Sequence, residues 1–269
     1  MSIIFPSAVA AVILYFFAGF RLARRLFQRT TDERAKHRLI ILGLVATFFH
    51  AVVLAMTIFT KDGINLPFFY SASLLTWLIS VIILCAAFRV PVENLGIIIL
   101  PLAAVSLMLS LVFPPEHGAN TISTGLQGHI LTSVLSYSLL SIAAIQAVLL
   151  AVQNHHLRHQ HPGGFIRALP PLEKMESLLF QMIALGFGIQ TLSLITGWLY
   201  LDDMFAQHKV HHTVLSITAW LVFAILLWGR YQFGWRGKIA IRWTLTGFGA
   251  LLLAYFGSKL VWEIILGHG

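Results

Sequence analysis

The chain has 269 residues, of which 58% are hydrophobic and only 10% charged, with a mean hydropathy of +0.84. Soluble domains carry about 25% charged residues, so this composition excludes a cytosolic enzyme, a secreted domain and a disordered chain, and leaves a polytopic membrane protein. The formal charge of +8 suits either a nucleic-acid partner or the positive-inside rule, and the positions of the charges decide between them.

Eight apolar runs are long enough to span a bilayer. They are Ile3–Phe20, Leu39–Thr60, Pro67–Phe88, Leu95–Phe113, Gly125–Gln153, Ser177–Leu201, Thr213–Trp228 and Trp243–Leu266. The first has no basic residue before its apolar run and no small-x-small cleavage site, so it reads as a span rather than a cleavable signal. The single Cys85 excludes an internal disulfide, a CxxC pair and a cysteine-rich metal site. No repeat or soluble domain is visible, which predicts one all-α integral-membrane domain over residues 1–269.

The basic residues alternate in their placement. Arg21, Arg24, Arg25, Arg29, Arg34, Lys36 and Arg38 lie between the first two spans, and Arg89 between the third and fourth. Arg158, Arg167 and Lys174 lie between the fifth and sixth, and Arg230, Arg236, Lys238 and Arg242 between the seventh and eighth. Only Lys61, Lys209 and Lys259 fall on the other side, so fifteen of the eighteen basic residues share one face. The positive-inside rule then predicts both termini outside. The charges are topological signals, and no nucleic-acid partner is expected.

Ionisable groups within spans are costly and mark candidate sites. His50 lies in the second span and His129 in the outer part of the fifth. Neutral imidazole is a good axial ligand for haem iron, and two histidines on facing helices can sandwich a haem. The two depths differ by roughly 5–10 Å at the rise of a helix, which a tilted haem bridges. The alternative is that each imidazole ties helices together by hydrogen bonds. Lys259 and Glu263 are spaced i,i+4, as an intrahelical pair with a snorkelling lysine or as a clamp on a ligand carboxylate. His155, His156, His159 and His161 read as a solvated inner loop. His208, His211 and His212 precede the seventh span, either as polar residues at a helix start or as haem or metal contacts. Trp198 and Tyr200 end the sixth span at the outer face, where aromatic belts sit.

The run His129-Ile-Leu-Thr-Ser-Val-Leu-Ser136-Tyr137-Ser138 resembles the His-x-x-x-x-x-x-Ser-Tyr segment of the cytochrome c assembly family, the haem-handling membrane proteins of the CcsA and CcmC type. Leu215–Arg230, then Gly234-Trp235-Arg236-Gly237-Lys238, then Ala254-Tyr255-Phe256-Gly257-Ser258-Lys259, look like its short YpjD-type, HemX-related branch. The resemblance spans Leu39 to Leu266. It implies a bacterial inner-membrane helix bundle that binds or moves haem b. It implies a haem-ligand role for His129 and a matching histidine at His50, with His268 as the nearest match to a second outer histidine. His212, Lys259, Tyr137 and Trp198 complete the residues expected around the cofactor. The larger members carry a segment Trp-Gly-x-x-Trp-x-Trp-Asp-Pro. The corresponding stretch here, Gly197 to His212, has one tryptophan and no Trp-Asp-Pro, so a haem-lyase activity is not expected and the chain reads as a non-enzyme. Cytochrome c assembly or haem-synthesis proteins are the expected partners beside lipid and haem. The rival readings are a membrane scaffold or regulator without its own haem, and a small-solute or ion transporter. The absence of an inverted repeat and of an acid near the centre of any span disfavours the transporter.

Overall fold

The structure is a computed structural model, and it describes residues 3–28, 32–60, 63–64, 66–114, 124–158, 169–200 and 210–257. Eight helices among these residues are long and apolar enough to cross a membrane. They are α1 (Ile4–Gln28), α2 (Glu33–Ile58), α3 (Phe68–Ala86), α4 (Glu93–Val112), α5 (Thr124–Arg158), α6 (Leu172–Tyr200), α7 (Val210–Phe233) and α8 (Lys238–Leu252), the last continued by a π-helical turn, Leu253–Gly257. Each expected apolar run therefore holds one of these helices, with residues 258–266 of the eighth run outside the described residues. In lipid this is forced, because a spanning segment has no water to satisfy its backbone and must bond internally.

The helices overrun the apolar stretches where polar residues still favour the helical state. α1 runs past Phe20 through Arg21, Arg24 and Arg25, all of which are good helix formers. α2 starts at Glu33, inside the expected loop, because the Asp32 side chain caps it by accepting from the Arg34 N–H at 2.9 Å. It ends two residues early, where Phe59–Thr60 (β1) pairs antiparallel with Gly63–Ile64 (β2), a short ladder the periodicity did not announce. α5 continues to Arg158, so His155 and His156 stand in its last turns rather than in a loop, with the His156 ring bonded to the Val152 carbonyl at 2.9 Å. His159 and His161 lie outside the described residues.

The described residues form two compact units. In the first, α1 packs on α2 and α4, and α3 packs on α2 and α4, closing a ring of four helices. The face that α1 buries is made of small residues, Ser7, Ala8, Ala11, Ala18 and Gly19, with Tyr15 between them. Association in lipid rests on such close backbone approach, because no hydrophobic force separates helix from acyl chain. In the second unit α5 packs on α6 and α8, and α7 packs on α6 and α8, again a ring of four. A Cβ on Gly186 of α6 would stand 2.8 Å from the Leu140 side chain of α5, so glycine is what lets this pair close.

Among the described residues of the second unit the basic ones gather at one end: the C-terminal ends of α5 and α7 and the N-terminal ends of α6 and α8. There Glu176 of α6 accepts from Arg230 at 3.0 Å and from Arg236 at 3.1 Å, and the Arg230 guanidinium lies 4.6 Å from the centre of the Phe180 ring. The Gly-Trp-Arg-Gly motif forms this corner between α7 and α8. Gly234 and Gly237 take φ of 63° and 54°, a region that other residues rarely adopt. Between them the Trp235 carbonyl accepts from Arg230 at 3.2 Å.

Candidate functional site

His50 is buried in the first unit, with 0% of its surface exposed. Both ring nitrogens are engaged: Nδ1 meets the Tyr15 hydroxyl of α1 at 3.2 Å, and Nε2 meets the Ser73 hydroxyl of α3 at 2.8 Å. Tyr15 also faces Ser80 of α3, whose hydroxyl donates to the Thr76 carbonyl at 2.8 Å. One proton arrangement satisfies the whole chain. Ser73 donates to Nε2, Nδ1–H donates to Tyr15, Tyr15 donates to Ser80, and Ser80 donates to Thr76. An iron ligand needs an uncommitted ring nitrogen, and His50 has none to offer. Its geometry is that of a tie joining α1, α2 and α3.

His129 differs in the respect that matters for coordination. It is half-buried at the start of α5, with Nδ1 2.9 Å from the backbone carbonyl oxygen of Ser193 on α6. A carbonyl can only accept, so Nδ1 carries the proton and Nε2 is left with the lone pair. Among the described residues none bonds Nε2. A ring nitrogen protonated toward a backbone carbonyl, with the other nitrogen open, is the usual state of a metal-binding histidine.

The elements around His129 are held by hydroxyls one turn apart. Ser133 bonds the Ser193 hydroxyl at 2.7 Å, and Ser136 donates to the Gly186 carbonyl at 3.0 Å. With His129 they tie α5 to α6 over two helical turns. α7 contributes His212, Thr213 and Ser216, and α8 contributes Leu251, so that all four helices of the unit enclose a narrow cleft of about 50 Å³. His129, Tyr137, Gln190 and His212 all line it. Tyr255, in the π-helical turn, stands beside it, its ring centre 5.8 Å from Tyr137 and 6.2 Å from His212. The cleft lies at the end of the unit opposite the described basic residues.

Two buried polar side chains meet in this cleft: the Tyr137 hydroxyl is bonded to the Ser216 side chain, and the Gln190 side-chain oxygen has no hydrogen bond among the described residues. Both side chains are deeply buried, at 8% and 4% exposure. They are neighbours through Ser216, whose side chain bonds Tyr137 and whose carbonyl accepts from Gln190 Nε2 at 3.2 Å.

Of the residues expected at a cofactor, His129, Tyr137 and His212 are thus brought together, whereas His50 is committed in the other unit. Trp198 is 81% exposed at the end of α6 and does not line the cleft; it has the placement of a belt residue. Lys259 and His268 lie outside the described residues, as do Glu263 and His208. Gln190 and Ser193 were missed because attention to ionisable groups passes over neutral ones. The signal was present in Gly188-Ile-Gln190-Thr-Leu-Ser193, a primary amide inside an apolar span.

Residues 38–266 match the profile of the family described as Cytochrome C assembly protein. The chain is 34% identical to Inner membrane protein YpjD of Escherichia coli strain K12 over 233 residues, covering 84% of this chain and 87% of that protein. It is 24% identical to Cytochrome c biogenesis protein CcsA of Chlamydomonas reinhardtii over 151 residues, 55% of this chain and 41% of that one. With Protein HemX of Bacillus subtilis it shares 26% identity over 130 residues, 48% of this chain and 47% of its relative. The family resemblance read from the His129–Ser138 segment and the Gly-Trp-Arg-Gly corner is thereby established: the chain belongs to the cytochrome c assembly family.

Proposed function

We propose that this protein is a non-enzymatic haem-handling protein of the bacterial inner membrane, and that His129 is its iron ligand. The observation that carries the reading is the Nδ1–H bond from His129 to the Ser193 carbonyl, which leaves Nε2 as an oriented, unprotonated donor at the edge of a cleft. His212 supplies a second imidazole to the same cleft. Membership of the family and the inner-membrane relative support the assignment of cargo and compartment. Bound haem b would supply an iron centre that accepts an axial nitrogen ligand.

The donor set fits that group, and the volume says how. Pockets that enclose a small-molecule ligand have about 300–1,000 Å³, whereas this cleft has about 50 Å³. The cleft does not enclose a macrocycle; it offers a ligand nitrogen at its mouth. A site of this kind holds its cargo by few contacts and releases it readily, which suits passage of haem to an assembly partner better than permanent storage. Both termini and the cleft face the outer side in this reading, which the distribution of basic residues supports.

The test is purification from cells supplied with ample haem precursor, followed by a pyridine haemochrome spectrum. The wild-type protein carries haem b, His129→Ala loses most of it, and His50→Ala keeps it in whatever fraction folds. A wild-type protein that is haem-free under these conditions overturns the reading. Retention of a partner protein unchanged by His129→Ala would instead favour the scaffold.

A further inference from the structure

A second cleft lies in the same unit, at the end that gathers the basic residues. It has a volume of about 450 Å³ and opens between the last turns of α5, the start of α6 and the corner joining α7 to α8. Pockets that hold small molecules have about 300–1,000 Å³. Its charged lining is of both signs: Arg236 and Lys238 come from the corner and the start of α8, and Glu173 and Glu176 from α6. Glu176 is already engaged, since its Oε1 accepts from Arg230 at 3.0 Å and from Arg236 Nε at 3.1 Å. That leaves the two terminal nitrogens of Arg236, the Lys238 ammonium and the Glu173 carboxylate. None of these has an ion-pair or hydrogen-bond partner among the described residues. Lys238 and Glu173 thus line one cleft without meeting across it. A bare phosphate would satisfy the cations and face the Glu173 carboxylate uncompensated, and a lone ammonium would do the reverse. A molecule that carries both a phosphate and an ammonium satisfies both sides. The depth of the cleft is marked by Trp228, Tyr231 and Phe233, all exposed in the last turns of α7 just before the corner. Exposed aromatics of this kind sit at the level of the lipid head groups. Leu150, Leu172 and Ile239 add apolar wall to the charged lining. Basic pockets between transmembrane helices at this level take lipid head groups.

We propose that this cleft is a specific site for one aminophospholipid, whose phosphodiester lies against Arg236 and Lys238 and whose primary ammonium lies against Glu173. The planar Arg236 fork offers its free nitrogens to the phosphate oxygens. The ammonium donates charge-assisted hydrogen bonds to the Glu173 carboxylate. The site shares no lining residue with the His129 cleft and does not depend on the haem reading.

The test is native mass spectrometry of the full chain, stripped of lipid in detergent and titrated with phosphatidylethanolamine, phosphatidylglycerol or phosphatidylcholine of identical acyl chains. The wild type takes up one phosphatidylethanolamine about tenfold more tightly than either other lipid, the worth of a charge-assisted hydrogen bond. Phosphatidylglycerol has no cation for Glu173, and the methylated ammonium of phosphatidylcholine has no N–H to donate. Glu173→Gln removes the preference over phosphatidylglycerol. Lys238→Gln weakens both of these lipids alike, while Lys174→Gln, a nearby exposed lysine that does not line the cleft, changes neither. Equal affinity of the wild type for the three lipids overturns the proposal. A preference for phosphatidylglycerol also overturns it, since plain attraction of an anionic lipid would then suffice. So does an effect of Lys174→Gln as large as that of Lys238→Gln, which would mean a diffuse surface charge. Soluble phosphoethanolamine that displaces the lipid at equal concentration would make the ligand a free zwitterion and overturn the lipid assignment. The wild-type preference is read without any substitution, so a variant that fails to fold does not remove the test.

Discussion

Two histidines in apolar helices meet opposite fates, and the difference lies in what faces each ring nitrogen. His50 finds a hydroxyl at both nitrogens, Tyr15 and Ser73, and is closed to coordination. His129 finds a carbonyl at one nitrogen only, which fixes its proton and leaves the other open. The two substitutions should therefore separate cleanly. His50→Ala leaves a cavity and an unpaired buried Ser73 hydroxyl, and should cost about 2–4 kcal/mol. Thermal unfolding in detergent would show this as a lower Tm, while haem per folded molecule stays unchanged. His129→Ala should do the reverse, with little loss of Tm and loss of ligation. Added imidazole, supplying the missing nitrogen, should restore part of the bound spectrum. From sequence alone the two residues could not be told apart. Each is a lone histidine among apolar neighbours, and the partners that decide, Tyr15, Ser73 and Ser193, come from other helices. Trp198, exposed at the end of α6, carries the same ambiguity, since a tryptophan near a helix end serves a lipid interface as readily as a ligand.

At the scale of elements, the eight spans were legible because the bilayer imposes length and hydrophobicity on each helix independently of its neighbours. Their ends were less so. Capping by Asp32, the extension of α5 through His156 and the ladder of Phe59–Thr60 with Gly63–Ile64 are local bonds that a hydropathy window averages away. How the helices pair was not legible at all, because it depends on which small residues meet. The α5–α6 pair, which presents His129 to Ser193, closes over Gly186. Gly186→Ala places a methyl group against Leu140, which is fully buried, and should destabilise the second unit by about 1–3 kcal/mol. The double variant Gly186→Ala, Leu140→Ala should couple, costing less than the sum of the two single changes. Additive losses in thermal unfolding would mean that the close approach does not hold the pair together. At the α7–α8 corner the motif was visible in sequence before its reason was: Gly234 and Gly237 carry the positive φ that turns the chain.

For the molecule as a whole, the excess of basic residues predicts, by the positive-inside rule, a cytoplasmic side for the loops that carry them. In a Cys85→Ser background, cysteines placed at Arg34 and at Trp198 should report opposite faces. A membrane-impermeant maleimide added to spheroplasts should label the Trp198→Cys variant and spare the Arg34→Cys variant until the membrane is permeabilised. The opposite pattern would put the His129 cleft on the cytoplasmic side and contradict the orientation predicted from the basic residues. The central claim is narrower than topology: the nitrogen of one histidine binds iron. It is tested most directly by titrating ferric haem into the detergent-purified protein and following the Soret band. The account predicts a saturable, red-shifted band of imidazole ligation in the wild type, absent from His129→Ala and present in His50→Ala. A band of equal amplitude and position in wild type and His129→Ala would contradict it.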